Sequence, residues 1–288
     1  MKPSAEKKNN KSAGRWQRFS GSRLSHPAVW LFWIAVWFLL SLLVHRELLL
    51  PGPLQVLQKL GSMMLTGAFW SSVALSLLRI LGGILAALIL GVLLAILTEY
   101  SSLAKALFSP LMLLVRSTPV VSFIILALIW LGRDILPLFI SALMVLPVVW
   151  ANVSAGIAGR DPQLLEMARV YRLPRGRVFR RITVPSVLPH FRAALRSALG
   201  LGWKAGIAAE VLTVPKQAIG RMIYESKLYL ETTELFAWTL TVILLSYVIE
   251  RLLLRLVLLP GSGRRADIPG SVPKVQDASG QKEDAGRA

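Results

Sequence analysis

The chain has 288 residues, 55% hydrophobic and 17% charged, with a mean hydropathy of +0.59. Its apolar residues fall in long blocks, which excludes a soluble domain and marks a polytopic membrane protein. The net charge of +18 is concentrated in the first 26 residues, the 160–181 stretch and the C-terminal region; this is the footprint of Lys/Arg placement in cytoplasmic loops, with a nucleic-acid surface the weaker reading. With no cysteine, disulfides, thiolate metal sites and thiol catalysis are excluded.

Residues 1–26 carry Lys2, Lys7, Lys8, Lys11, Arg15, Arg18 and Arg23 against one acid, Glu6, with no apolar pattern; a disordered basic cytoplasmic tail is expected. The apolar run that follows has a long basic leader and no small-residue cleavage site, so it reads as a retained first span. A hydrocarbon core of about 30 Å takes roughly 20 apolar residues in a helix, and that ruler gives six spans at 28–45, 70–97, 107–131, 136–157, 187–212 and 235–258. The expected fold is all-α, a polytopic helical membrane protein with a permease domain over 27–258. From 259 to 288 Gly, Pro, Ser and charge predict a second disordered cytoplasmic tail. The 158–186 segment holds Arg160, Arg169, Arg172, Arg175, Arg177, Arg180 and Arg181, whereas the opposite connections mix signs, so both termini are expected in the cytoplasm of an inner-membrane protein.

Between the first two spans Pro51-Gly52-Pro53 breaks the chain, and Leu54, Val56, Leu57, Leu60 and Met64 predict a short amphipathic helix. Small residues recur every four positions at Gly83, Ala87 and Gly91, and again at Ala194, Ala198, Gly202 and Gly206; such stripes let helix backbones approach. Prolines at 110, 119, 137, 147, 185 and 189 lie in or beside spans and predict kinks. Ionisable residues inside spans are costly and are functional candidates: Arg79, Arg116, Lys204 and Glu210. Arg79 and Arg116 favour structural or interfacial roles, because arginine can snorkel. Lys204 and Glu210 lie about 240° apart around one helix and do not pair.

The segment Asp161-Pro162-Gln163-Leu164-Leu165-Glu166-Met167-Ala168-Arg169-Val170-Tyr171-Arg172 interrupts the apolar pattern. Asp161 is a good N-cap and Pro162 suits the first helical position. Leu164, Ala168 and Tyr171, beside Leu165, form an apolar stripe opposite Gln163, Glu166 and Arg169. Leu173-Pro174 is expected to end this helix. A basic turn, Arg175 to Arg181, then leads to a fifth span beginning near Pro185.

Glu166, Ala168, Ile182 and Pro185 stand at the spacing of the loop signature E-A-A, three residues, G, nine residues, I-x-L-P, and here the chain resembles the membrane subunit of binding-protein-dependent ABC importers. Met167 replaces the first signature alanine, Arg172 the glycine and Val184 the leucine; Leu173-Pro174 is expected to supply the turn that the glycine normally permits. The resemblance covers roughly residues 54–258. Ser76-Leu77-Leu78-Arg79-Ile80 with Gly82-Gly83, Ser109-Pro110, Arg116-Ser117-Thr118-Pro119, Trp130-Leu131-Gly132 and Gly202-Trp203 through Ala209-Glu210 look like the taurine, nitrate and alkanesulfonate branch.

That resemblance implies a type I permease fold in which two copies of this chain pair with two cytoplasmic ATP-binding subunits and receive substrate from an extracytoplasmic binding protein. It makes Asp161, Leu164, Leu165, Glu166, Met167, Ala168, Arg169 and Arg172 the ATPase-coupling residues, in a helix at 161–172. The bland account of the arginines is topology and contact with anionic lipid; it leaves the Asp-Pro start and the Ile182/Pro185 spacing unexplained. The chain holds no G-x-x-x-x-G-K-[ST] phosphate loop, no metal-ligand cluster and no nucleophile–base constellation, so neither catalysis nor a cofactor is expected on it. Lys204, Glu210 and Arg116 are candidates for the translocation pathway. Lys204 either offsets the desolvation of an anionic solute such as a sulfonate or nitrate, or pairs with an acid on another span or on the second copy. The competing function is a secondary transporter driven by an ion gradient, for which Glu210 is the clear candidate acid.

Overall fold

The computed structural model describes residues 25–44, 46 and 48–258, and the expectations for the two tails lie outside them. Every regular element among these residues is helical. Three helices, α3 (Gly67–Tyr100), α6 (Leu136–Ala158) and α11 (Thr232–Leu258, apolar over Thr232–Leu253), are long and apolar enough to cross a membrane. At 1.5 Å per residue, the 34 residues of α3 run to about 51 Å, well beyond a bilayer core. The first expected span is α1 (Ser25–Val44), which exposes Trp30, Leu31, Leu43 and most of its other apolar side chains.

The expected third span, 107–131, is bent and not straight: α3 and α6 run parallel, Gly83 facing Leu138 and Gly91 facing Val149, so the chain between them returns across the bundle. The chain forms α4 (Ser102–Ser117) and α5 (Val120–Leu128), bent by 104°. Thr118 precedes Pro119 and is forced out of the helical region, to φ −87° and ψ 135°. A hydropathy window reads across that break, but the backbone does not. The fifth expected span is α9 (Val184–Thr213), whose 30 residues include Arg192, Arg196, Lys204 and Glu210 and fall short of the apolar content of the other three.

Between α1 and α3, α2 (Pro53–Met64) is amphipathic as expected: Val56, Leu60 and Met63 are buried, while Leu54, Leu57 and Met64 are exposed. Lys59 ties α2 to α11 through Glu234 at 2.9 Å, and the hydrogen bond it donates there holds its pKa above the ordinary lysine range.

Helices α3, α6 and α9 form the centre of the bundle. A Cβ at Gly91 would come within 2.8 Å of Val149, one at Gly202 within 2.7 Å of Ile84, and one at Gly206 within 2.5 Å of Ser141 and 2.7 Å of Ile80. The small-residue stripes are therefore the packing faces, and Ile80, Ile84, Val145, Val149 and Val153 fill the space between them. Ile80 and Ile84 stand near the middle of α3, so the Gly202–Gly206 segment of α9 packs against the middle of that helix.

At the end of the bundle away from the arginine-rich loop, Ala218 precedes α10 (Ile219–Leu228). Arg79 donates to the carbonyls of Lys216 (3.0 Å) and Gln217 (3.3 Å) and pairs with Asp134 at 3.4 Å. Asp134 also accepts the amide of Lys216 at 3.0 Å. Arg79 is thus a structural anchor for the turn between α9 and α10.

Candidate functional site

The arginine-rich loop is an ordered helix–break–helix. Asp161 caps α7 (Pro162–Val170), its Oδ1 accepting the Gln163 amide at 2.8 Å, and Pro162 occupies the first turn. The helix is shorter than the expected 161–172. Ala168 is 4% exposed and turns inward with the half-buried Leu165. The expected apolar stripe is corrected accordingly: Ala168 belongs to the packed side, and Leu164, Met167, Val170 and Tyr171 are exposed together. At 100° per residue those four span about 120° of the helix surface. Glu166 and Arg169 are also exposed.

The break lies one residue earlier than expected. Arg172, at the signature glycine position, adopts the left-handed conformation with φ 48°. This geometry lets the Arg172 amide reach Arg169 O (3.0 Å) and the Leu173 amide reach Ala168 O (2.9 Å), closing the end of α7. Leu173-Pro174 follows the turn and does not make it; Pro174 precedes α8 (Arg175–Val178). A π-helical turn at Phe179–Thr183 then runs directly into α9, so one continuous rod extends from Arg175 to Thr213. The α-helix of the fifth span begins at Val184, near Pro185 as expected, and Pro189 is accommodated within it.

Arg160 was not singled out by the sequence. Its Nε donates to Ile157 O at 2.6 Å and its guanidinium reaches Thr183 Oγ1 at 3.4 Å. One side chain therefore clamps the end of α6 to the π-helical turn, and α7 is slung between two fixed points. The sequence signal was only adjacency to the Asp161 cap, because its partner Thr183 is 23 residues away.

The three pathway candidates are not brought together. Lys204 is exposed on α9, on a face shared with Ala193, Ser197 and Leu201, at the depth of the Gly202–Gly206 packing. Arg116 is exposed in the last turn of α4, beside the bend. Glu210 is 0% exposed; its Oε2 accepts from Ser76 Oγ at 2.7 Å and from the Gly220 amide at 3.1 Å, while Oε1 has no partner. In this conformation Glu210 has no surface to offer a solute. The separation of Lys204 from Glu210 follows the expected helical angle.

These features define a helical membrane protein with a structured, partly apolar helix displayed outside its bundle. The profile of the family described as "Binding-protein-dependent transport system inner membrane component" matches residues 83–258, and the chain belongs to that family. It is similar to a probable ABC transporter permease protein of Brucella melitensis, with 27% identity over 76% of this chain and 89% of the relative. It is also similar to a putative aliphatic sulfonates transport permease of Bacillus subtilis, at 26% over 71% and 74%, and to the taurine transport permease of Escherichia coli, at 25% over 74% and 80%. The chain is accordingly a permease subunit of a binding-protein-dependent ABC importer, an all-α multi-pass protein of the inner membrane.

Proposed function

We propose that two copies of this chain form the translocation pathway of an ATP-driven importer for a small anionic solute of the sulfonate or taurine kind. Each copy docks a separate cytoplasmic ATP-binding subunit through α7, and an extracytoplasmic binding protein delivers the solute to the opposite face. Both termini lie in the cytoplasm, which puts the arginines of the 158–186 segment on the side favoured by the positive-inside rule. Asp161 sets the start of the docking helix, Leu165 and Ala168 seat it, and Leu164 and Met167 with Val170 and Tyr171 make contact. Glu166, Arg169 and Arg172 surround that contact with charge.

The observation that carries this reading is the exposed apolar face of α7 on a short helix held at both ends. Four large apolar side chains in the aqueous loop of a free-standing permease have no packing role, whereas a hydrophobic groove on a partner would bury them. The arms that hold α7 lead into α6 and α9, so motion of a docked partner reaches two of the three central helices. ATP hydrolysis belongs to the partner.

Met167→Asp with Val170→Asp tests the reading, because both side chains are exposed and the change leaves the bundle intact. Expected is a chain that inserts and dimerises normally but no longer recovers the ATP-binding subunit in a detergent pull-down, with uptake falling at least about tenfold, the effect of losing 1.4 kcal/mol or more of interface energy. Unchanged recovery and unchanged uptake would remove α7 from the coupling role.

A further inference from the structure

An apolar cavity of about 280 Å³ opens at the loop end of the bundle, between α3, α6 and the π-helical turn and start of α9. Val92, Ile96, Val153, Val187 and Phe191 line it, with Phe179 at its loop-side edge, and no polar atom faces it. Its mouth is cationic. Arg160 bonds two of the lining residues, Ile157 and Thr183, and keeps donors to spare, since a guanidinium has five. Arg180 follows the lining residue Phe179 directly in the π-helical turn, and it is exposed, as is Arg177. Among the described residues no acid pairs with Arg160, Arg177 or Arg180.

We infer that this groove binds an anionic phospholipid of the cytoplasmic leaflet, with one acyl chain in the cavity and its phosphate on Arg160 and Arg180. The two halves of the site point to one ligand. A free anion has no use for a wholly apolar cavity, and a neutral lipid has no use for unpaired guanidinium groups at its mouth. The depth fits as well. Val92, Ile96 and Val153 sit near the loop ends of α3 and α6, where headgroup and acyl chain meet. The π-helical turn supplies Phe179 and Thr183 to the lining. The site lies on the rod that carries α7, yet it uses none of the residues assigned to ATPase docking.

The full-length chain, reconstituted in vesicles containing equal phosphatidylglycerol and phosphatidylcholine, tests this with either lipid carrying a photoactivatable acyl chain. Expected is labelling of the peptide around Val187 and Phe191 by the anionic lipid, at least about tenfold above the neutral one. Arg177→Gln with Arg180→Gln, both on exposed positions that leave folding intact, should cut that preference by at least about fivefold, the loss of the phosphate contact at Arg180. Val187→Trp, which fills the groove, should lower labelling by both lipids. Equal labelling by the two lipids would overturn the proposal, as would a preference unchanged in the double variant. So would an unlabelled groove in which Val187→Cys instead crosslinks to another protein segment.

Discussion

Glu210 shows how one side chain can organise an entire end of this bundle. Helix α10 lacks a capping side chain at Ala218, and its first two amides are satisfied from elsewhere: Ile219 by Ser76 Oγ at 2.9 Å and Gly220 by Glu210 Oε2. Ser76 in turn donates to Glu210, so α3, α9 and α10 meet at one hydroxyl and one carboxylate oxygen. Gly220 is required there, since any Cβ would collide with the Glu210 side chain. Glu210→Ala leaves a buried amide and a buried hydroxyl short of an acceptor and opens a cavity, and is expected to cost about 2–4 kcal/mol. Glu210→Gln keeps an acceptor oxygen of the same shape, with an expected cost under about 1 kcal/mol. Denaturation midpoints of the two variants in detergent check the difference. Equal losses would mean that the charge, and not the capping geometry, holds the joint.

At the scale of elements, the parts legible in the sequence were those fixed by near neighbours. The Asp161-Pro162 start of α7 rests on a bond two residues long, and the structure reproduces it. The bend at Thr118-Pro119 was marked by its proline, but apolar residues on both sides hid it from a span-length window. The inward turn of Ala168 was invisible because it depends on how the loop lies against the bundle. Arg172 illustrates a third case, in which the geometry of a motif survives while its residue changes. A non-glycine residue in the left-handed region pays roughly 1–2 kcal/mol, against about 0.4–1 kcal/mol for the greater unfolded freedom of glycine. Arg172→Gly is therefore expected to tighten the break by roughly 0–1.6 kcal/mol, and Arg172→Val, with a branched Cβ, to loosen it. Hydrogen exchange at the Leu173 amide, which bonds Ala168 O, reads both changes. Faster exchange in Arg172→Gly would show that the arginine side chain itself secures the turn.

The whole molecule raises a question of what surrounds Lys204, since a single chain leaves it exposed level with the middle of α3. A lysine facing lipid tails at that depth costs at least about 2.5–3.5 kcal/mol. Glu210, the nearby acid on the same helix, points about 120° away around it and is held by Ser76 and Gly220. The exposed face that Lys204 shares with Ala193, Ser197 and Leu201 is the one that the second copy proposed above would cover. In the two-copy arrangement proposed above, paired Lys204 side chains would face one pathway and would lower the cost of desolvating an anion there. Lys204→Met should then leave the dimer and its stimulated ATPase activity in place while lowering uptake kcat/KM by about tenfold or more, as expected for losing a charge-assisted hydrogen bond of about 1.5–3 kcal/mol. Lys204→Arg, which keeps the charge, should recover part of that loss. Uptake assays on the assembled transporter separate the two roles open to this lysine. Transport at wild-type affinity and rate in Lys204→Met would take it out of the pathway, and failure of the variant to assemble would make it half of a fixed ion pair between spans.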